Sequence, residues 1–365
     1  MTKPAKPYAD YPLFAHACGK WAKKIDGKTV YFGSWDEPDL ALSEYRAYIA
    51  DKELDGESDI SLSKAANLFL AAKNHAVTNG LLANRTYSEY KSTLKAMLNH
   101  WGREFPLSNI DGPELLRYYN ERSKTRNLVS MGNECVRIKT IFFYLEDKDL
   151  IQEAPKFPKE FKKPSRKLVR RHKREVGSKV ISRADIDRLM FNAGGTLRPM
   201  ILLAVQGGFS PADIANLKIS HVNFDEGEDG WINMPRVKTE VDRNFPMLLD
   251  TANALRNYIA NRPTPARKSD EEYLFLTHSG ERLNPDKSEF TPWFSALAKQ
   301  CGLKATAYWL RHTCQNVAEK GGDMTAVKML MGHADQSISD TYRHEIEDSR
   351  MHAVVGLIRD YLFTR

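Results

Sequence analysis

The stretch MGHADQSISDTYRHE, residues 331–345, combines residue types that take part in covalent and proton-transfer chemistry. Gly332 and His333 follow a helix-like run, and Tyr342 stands nine residues after His333. A tyrosine hydroxyl can act as a nucleophile, and an imidazole can hold or move a proton. A purely structural interpretation is also open, because glycine commonly ends helices and tyrosine is common on amphipathic ones. The rest of the chain has to decide between the two.

The composition predicts a soluble protein of two or three domains. The chain has 365 residues, of which 42% are hydrophobic and 28% are charged. Its net charge of +7 suits a polyanionic partner. It has no apolar run near the roughly 18 residues of a membrane span, and its N-terminus lacks the apolar core of a secretory signal. Four scattered cysteines without a CxxC pair indicate reduced thiols in a cytoplasm, and neither a disulfide framework nor a zinc site.

The N-terminal 54 residues read as a small β unit followed by a helix. Two short runs, Lys20–Ile25 and Thr29–Phe32, flank an Asp-Gly pair that favours a type I′ hairpin. Pro38 then opens a helical run through Lys52. The hairpin could lie in a groove of DNA, or it could be a mini-domain with a solvated basic face. The groove hypothesis rests on basic residues beside aromatic ones: Lys20, Lys23, Lys24 and Lys28 beside Trp21, Tyr31 and Trp35.

The next segment, 60–152, has a helical pattern throughout and predicts a unit on the scale of four helices. Its predicted helices are 61–78, one starting near Asn84 or Thr86 and ending near His100, 113–122 and 130–150.

A basic, proline-containing segment follows, with the sequence PKFPKEFKKPSRKLVRRHKREVGSK at 155–179. Its composition predicts an interdomain linker that cannot build a core. A basic run between two folded units is well placed to follow a phosphate backbone. The residues assigned to that contact are Lys162, Lys163, Arg166, Arg170 and Arg171.

From Val180 onward the pattern is globular again. Ser182 with Asp185 predicts a capped helix start, and 199–207 predicts a buried apolar helix. Two strands, 231–237 and 243–247, are predicted on either side of a turn that carries Lys238. The remaining predicted helices are 251–261, 292–301, 308–320, 325–331 and an amphipathic 345–362.

The stretch AYWLRHTCQNVAEKGGDMTAVKMLMGHADQSISDTYRHEI resembles the motif region of the tyrosine recombinase, or phage integrase, family. The matching parts are Leu-Arg-His-Thr at 310–313, the Gly-Gly break at 321–322, Leu-Met-Gly-His at 330–333, and Tyr342. Upstream, GGFSPADIANLKISHVNF resembles the first active-site segment of the family, and KTEVDRNFPM resembles its lysine-bearing hairpin. The whole chain also follows the three-part plan of arm-binding integrases.

The resemblance implies a role for each matching residue. Tyr342 would be the nucleophile, Arg311 a phosphate clamp, Lys238 the general acid, and His333 a phosphate donor or proton handler. An attacked phosphodiester gains negative charge on its non-bridging oxygens, where a guanidinium offers paired donors. Its leaving 5′ oxygen needs a proton, which a lysine can supply. Because a covalent tyrosine intermediate keeps the bond energy, neither ATP nor a metal nor any other cofactor is expected.

Two positions depart from the usual pattern of the family. Ser210 stands where members usually carry an arginine, and Tyr308 stands where they usually carry a histidine. Asp213 stands where the family keeps a supporting acidic residue. Tyr308 can still donate a hydrogen bond through its hydroxyl, whereas Ser210 cannot supply the charge of a guanidinium.

The missing charge is expected from another strand or helix. Arg198, Arg236 and Arg243 are the candidates, and Arg236 and Arg243 come first because they flank the Lys238 hairpin.

The leading hypothesis is a site-specific DNA recombinase of a mobile element, which cuts and rejoins duplex DNA through a 3′-phosphotyrosyl intermediate. The resemblance implies a mainly α fold with small β parts (α+β). Its parts would be an arm-type DNA-binding unit at 1–54, a helical core-binding (SAM-like) domain at 60–152, a basic linker at 153–179 and a mixed α/β catalytic domain at 180–365.

The expected partner is double-stranded DNA, held mostly through phosphates and so with a steep salt dependence. The last helix could dock on a neighbouring protomer in a DNA-bound homotetramer, or it could pack in its own domain. An accessory DNA-bending protein is a further expected partner, and the expected location is the cytoplasm, at the nucleoid.

Two alternatives stay open at this point. The first is a DNA-binding protein that keeps the fold with weakened or lost catalysis, which the departures at Ser210 and Tyr308 favour. Retention of Tyr342, Arg311, Lys238 and His333 favours an enzyme, because a pure binding protein has no need of a nucleophile. The second is a type IB topoisomerase, which shares the chemistry but is disfavoured by the N-terminal β unit and the helical domain.

Overall fold

The computed structural model describes residues 3–8, 10–25, 27–52, 60–333 and 346–364. The chain divides into two compact units, Met1–Val176 and Gly177–Arg365. The described part of each unit contains several helices and one small three-stranded antiparallel sheet. The expected fold class, mainly α with small β parts, is confirmed.

The N-terminal sheet contains β1 (Phe14–His16), β2 (Lys20–Ile25) and β3 (Lys28–Ser34), in that order. Ile25 pairs with Lys28 across the predicted hairpin turn, where Gly27 has a φ of +77° and Asp26 lies outside the described residues. The predicted helix is present as α1 (Pro38–Lys52). Its start packs on one face of the sheet in a small aromatic core, formed by Tyr11, Leu13, Trp21, Phe32, Ala41 and Leu42.

The helical pattern of 60–152 folds as predicted, with small shifts at the helix ends. Side-chain oxygens of Asp111 and Asn127 accept hydrogen bonds from the first turns of two helices, which fixes where those helices begin. The helices enclose a core around Phe69, Met97, Ile138 and Phe142. Their bounds are α2 (Leu62–Thr78), α3 (Asn84–Trp101), α4 (Gly112–Ser123) and α5 (Leu128–Asp147).

The basic segment differs from the prediction in two ways. Phe161 is fully buried in the core of the helical unit and Phe157 packs beside it, so this part of the predicted linker does contribute to a core. Phe157 and Phe161 also stack on each other, at 5.8 Å between ring centroids. Next, α6 (Arg166–Val176) is a helix with no buried residue. Because lysine and arginine dominate the composition of this segment, neither the packing of Phe157 and Phe161 nor the helix α6 was predicted.

The second unit is built around a buried helix, α8 (Leu197–Gln206), which the apolar run predicted. Its small sheet contains β4 (Val222–Asn223), β5 (Trp231–Asn233) and β6 (Asn244–Pro246), paired in that order. Ser182 caps the predicted helix start through its hydroxyl. The other helices are α7 (Arg183–Asn192), α9 (Pro211–Asn216), α10 (Leu249–Ala260), α11 (Phe290–Gln300), α12 (Ala307–Ala318), α13 (Met324–Leu330) and α14 (Asp348–Phe363).

The last helix packs in its own unit. Met351, Val354, Ile358 and Leu362 of α14 are buried in the core that surrounds α8. The apolar stripe is therefore already covered, and of the two expectations for this helix the structure favours packing within its own domain over docking on a neighbour. A bidentate contact of Arg350 with Asp323, at 2.7 Å for each bond, fixes the start of α14 to the start of α13.

Within the described ranges, none of the helices combines the length and the apolar character needed to cross a bilayer.

Candidate active site

Arg311 lies at the centre of the second unit, and its guanidinium is held by backbone carbonyls. Arg311 projects from α12 and is only 2% exposed. Nη1 donates to the carbonyl of Gly208, and Nη2 donates to the carbonyl of Met331 at 2.6 Å. Nη2 also lies 3.1 Å from Nε2 of His333. The predicted pair Arg311 and His333 is therefore brought together across 22 residues of chain.

A Schellman motif delivers His333 to this position. At the end of α13, Gly332 takes a left-handed φ of +59°. The Gly332 amide donates to the carbonyl of Met329, and the His333 amide donates to that of Lys328, each at 2.9 Å. Gly332 thus ends the helix, as the structural interpretation proposed, and in doing so turns His333 toward Arg311.

Ser210 serves as a helix cap. Its hydroxyl accepts from the amide of Asp213 at 3.3 Å, and its own amide donates to Oδ2 of Asp213 at 2.8 Å. This reciprocal capping box begins α9 and orients the Asp213 carboxylate, which is only 1% exposed. The predicted supporting residues Ser210 and Asp213 therefore support each other.

Arg243 is the ion-pair partner of Asp213. Its Nη2 lies 3.5 Å from Oδ1 of Asp213, and both side chains are shielded from solvent. The guanidinium carbon of Arg243 lies 4.4 Å from the ring centroid of Phe209, which adds a cation–π contact. Nε and Nη1 of Arg243 have no hydrogen-bond partner. A buried guanidinium with two free donors is well suited to donate hydrogen bonds to a ligand oxygen after a small rearrangement.

Arg236 reaches the same turn from the first arm of the hairpin. Its Nη1 donates to the carbonyl of Gly332 at 3.1 Å. A Cβ added at Gly332 would lie 2.8 Å from Cβ of Arg236 and 3.0 Å from Cδ of Arg243, so both arginines press against this glycine. The fold thus brings Arg236 and Arg243, the two first candidates for the missing charge, to the Arg311–His333 turn. Arg198 instead is exposed and donates to the carbonyl of Met190.

The electrostatics of this cluster keep Arg243 charged and favour the neutral form of His333. Burial lowers the pKa of Arg243 to about 10, against the opposing effect of Asp213, so its charge persists near neutral pH. Burial, and next the positive charge of Arg311, lowers the pKa of His333. Because a guanidinium can only donate, Nε2 of a neutral His333 accepts from Arg311 and the ring proton lies on Nδ1.

Lys238 lies in the exposed tip of the hairpin between β5 and β6. The predicted strands are shorter than expected, but Met234 N to Arg243 O at 2.9 Å and Arg236 N to Val241 O at 2.8 Å continue the pairing toward the tip. Sequence reasoning missed Thr239, whose hydroxyl donates to the carbonyl of Gly332 at 2.8 Å. Its position beside Lys238 was the only available signal.

Tyr308 is 43% exposed and makes an edge contact with His312, at 5.1 Å between ring centroids. Tyr342 lies outside the described residues. Among those that are described, no group of three or more His, Cys, Asp or Glu side chains is arranged to hold a metal ion.

The predicted DNA-contacting residues divide by exposure. Trp21 is buried and the Lys23 ammonium donates to the carbonyl of Pro12, so these two support the N-terminal unit itself and do not form a free basic face. The other predicted basic residues are exposed: Lys20, Lys24, Lys28, Lys162, Lys163, Arg166, Arg170 and Arg171.

Comparison with known proteins decides the family. The model of the phage integrase family matches residues 179–348, the segment that contains the whole cluster. Residues 179–348 therefore belong to the tyrosine recombinase (phage integrase) family. The chain is 30% identical over 149 residues to the tyrosine recombinase XerA of Pyrococcus furiosus, covering 40% of this chain and 49% of that one. It is 24% identical over 287 residues to XerD of Halalkalibacterium halodurans, covering 75% and 91%.

Solved tyrosine recombinases share the fold. A lambda integrase tetramer bound to a Holliday junction aligns with a TM-score of 0.58 at 17% identity, covering 93% of this chain and 97% of that one. The Tn1549 transposon integrase in complex with transposon right end DNA aligns with a TM-score of 0.58 at 15% identity, covering 80% and 98%.

Proposed function

We propose that this chain is a site-specific DNA recombinase that cuts and rejoins duplex DNA through a 3′-phosphotyrosyl intermediate on Tyr342. The observation that carries the proposal is the convergence of three arginines on one turn. Arg311, Arg236 and Arg243 all contact the segment 331–333, and Tyr342 follows that segment by nine residues. A cluster of buried guanidinium groups with unpaired donors is a site for an anion that carries extra charge.

Arg243 fills the role that the arginine usual at position 210 would play. It holds the Asp213 carboxylate from the hairpin, at the residue before β6, while Ser210 holds the same carboxylate from the helix side. The positive charge opposite Asp213 is therefore supplied by the hairpin. Arg311 and Arg243 together contact the non-bridging oxygens of the scissile phosphate, and Arg236 supports them from the hairpin.

Lys238 and His333 divide the proton transfers. The Lys238 ammonium gives a proton to the leaving 5′ oxygen, and Nε2 of the neutral His333 accepts the proton of the attacking tyrosine in exchange for its hydrogen bond from Arg311. Tyr308 adds a hydrogen bond to the phosphate through its exposed hydroxyl. A DNA 5′ alkoxide is a poor leaving group without such a proton, so the rate depends on where the hairpin holds Lys238.

DNA is the substrate and the partner of the whole chain. Residues 1–54 bind arm-type DNA, 60–152 bind core DNA, the basic segment 153–179 follows phosphates, and 180–365 carry the chemistry. Support comes from the exposed basic residues and from the solved complexes of similar integrases with DNA, including a lambda integrase tetramer bound to a Holliday junction. We propose the same tetrameric assembly here, with an accessory DNA-bending protein.

The second candidate is a DNA-binding protein with this fold and weakened catalysis. Two observations favour it: Nη1 and Nη2 of Arg311 already donate to the carbonyls of Gly208 and Met331, and Ser210 brings no charge. The two candidates bind DNA alike and differ only in whether they form a covalent product.

Covalent capture separates the two candidates. The protein is mixed with fragmented DNA from its source in EDTA, denatured, and tested for protein attached to a 3′ phosphate. If the chain is a recombinase, we expect adducts whose attached DNA sequences share one site. Salt-sensitive binding without adducts, on nicked fragments that prevent rejoining as well as on intact ones, would identify the binding protein.

The helix α6 supplies a test of phosphate contact. Replacing Arg170 and Arg171 by Gln should lower the slope of log K against log salt by about 2, since each phosphate contact contributes roughly 0.9. The matched control replaces Arg267 and Lys268, two exposed cations beside Glu271 and Glu272, where phosphate is disfavoured. Filter binding at several salt concentrations measures both slopes. Equal slopes for the α6 variant and the wild type would show that Arg170 and Arg171 of this helix do not contact DNA phosphates.

A further inference from the structure

The tip of the Lys238 hairpin is tied to the turn that carries His333. The carbonyl of Gly332 accepts two hydrogen bonds from this hairpin, one from the hydroxyl of Thr239 at 2.8 Å and one from Nη1 of Arg236 at 3.1 Å. The two donors flank Lys238 in the sequence. The position of Lys238 relative to His333 is therefore set by contacts to a single oxygen atom.

Thr239 is the half-buried member of an otherwise exposed tip. Val237, Lys238 and Glu240 point to solvent. The tip is closed by backbone bonds from Thr239 N and Glu240 N to the carbonyl of Arg236, at 3.1 and 2.8 Å. Glu240 takes a left-handed φ of +54°, which a non-glycine residue adopts only when its surroundings require it. This backbone turns the Thr239 hydroxyl toward Gly332 and leaves Lys238 free to reach outward.

We propose that Thr239 is a positioning residue for the proton transfer by Lys238. Its bond to Gly332 holds the hairpin tip at a fixed distance from the turn, so that the Lys238 ammonium and the tyrosine nucleophile act on the same phosphodiester. This inference rests on the proposed recombinase function and on the acid role of Lys238.

Cleavage of the phosphodiester involves two proton transfers, and the second of them depends on this contact. The Tyr342 oxygen forms a bond to phosphorus and the phenol proton passes to His333. The bond between phosphorus and the 5′ oxygen breaks, and that oxygen takes the electron pair and a proton from Lys238. Misplacement of the hairpin slows the second transfer and leaves the first unaffected. A structural role for Thr239 would slow cleavage whatever the leaving group.

The leaving group supplies the test. In a duplex that contains the captured site with sulfur in place of the bridging 5′ oxygen, the leaving group is a thiolate, which departs without a proton because thiols are far more acidic than alcohols. Thr239→Val keeps the shape of the side chain and removes the hydroxyl, and Thr239→Ser keeps the hydroxyl. Lys238→Met removes the acid. Thr291→Val, at an exposed helix position, is the matched control.

We expect Thr239→Val to cleave the oxygen substrate about 10- to 100-fold more slowly than wild type, part of the effect that a general acid contributes, and the sulfur substrate at the wild-type rate. Thr239→Ser and Thr291→Val should match wild type on both. Lys238→Met should show a larger loss with the same rescue. If Thr239→Val cleaved both substrates more slowly than wild type, or neither of them, the positioning role would be overturned. Failure of sulfur to rescue Lys238→Met would instead refute the acid role in the proposed function.

Discussion

A Tyr342→Phe variant is expected to bind DNA with wild-type affinity and salt dependence, and to cleave it at least ~10⁴-fold more slowly. The substitution removes one oxygen atom, and that oxygen is the proposed attacking group. No neighbouring hydroxyl should replace it, because in-line attack requires one position relative to the leaving oxygen. Single-turnover cleavage of a nicked duplex carrying the captured site measures the rate, and filter binding at several salt concentrations measures the affinity.

Tyr273→Phe provides the matched control, since Tyr273 is not a member of the arginine cluster. Its ring stacks against Arg282, whose guanidinium carbon lies 3.7 Å from the ring centroid. It should cleave like wild type. Cleavage by Tyr342→Phe within a few fold of wild type would place the nucleophile elsewhere. A loss of binding equal to the loss of cleavage would show that Tyr342 serves the fold or the DNA contact.

Replacing Arg243 by Gln should reduce both stability and cleavage. The Asp213 carboxylate would be left buried without its ion-pair partner, and breaking such a pair from one side costs about 3–5 kcal/mol. The scissile phosphate would lose one charged donor, which lowers the cleavage rate by about 10²–10³-fold. Urea unfolding measures the first effect, and single-turnover cleavage well below the unfolding midpoint measures the second.

Restoring an arginine at the family position tests whether Arg243 is the replacement. Adding Ser210→Arg to Arg243→Gln should recover part of the lost cleavage, because it returns a guanidinium to the neighbourhood of Asp213. In the wild-type background Ser210→Arg should bring no gain and should cost about 1 kcal/mol from the lost helix cap. A large gain from Ser210→Arg alone, together with harmless Arg236→Ala and Arg243→Ala variants, would contradict the replacement.

Local sequence rules predicted much of the fold because the helix ends depend on neighbouring residues. Ser182 and Gly332 begin and end helices through hydrogen bonds that span three to five residues, and such signals are visible in the chain itself. The family resemblance implied roles in one site for Arg311 and His333, and the structure brings the two side chains together. The predictions failed where composition masked a contact, as with Phe161 in the basic segment.

The side-chain contacts that hold the site together could not be predicted from the sequence. The pairing of Asp213 with Arg243 joins residues 30 positions apart, and the bond of Thr239 to Gly332 joins residues 93 positions apart. Both depend on how the hairpin packs on α9 and α13, which no local pattern records. The sequence offered Arg236 and Arg243 as equal candidates, and only the geometry assigns Arg243 to Asp213 and Arg236 to Gly332.

Identifying the amino acid that becomes attached to DNA tests the role of Tyr342 as the nucleophile. The adduct formed in EDTA is digested with nuclease and trypsin, and the remaining nucleotide is located by mass spectrometry. Cleavage after Lys328 and Arg343 gives the peptide MLMGHADQSISDTYR, in which Tyr342 is the sole tyrosine. We predict a 3′-linked nucleotide on Tyr342 of this peptide. A nucleotide on any other residue, a 5′ linkage, or an adduct that forms only after a divalent metal is added would contradict the account.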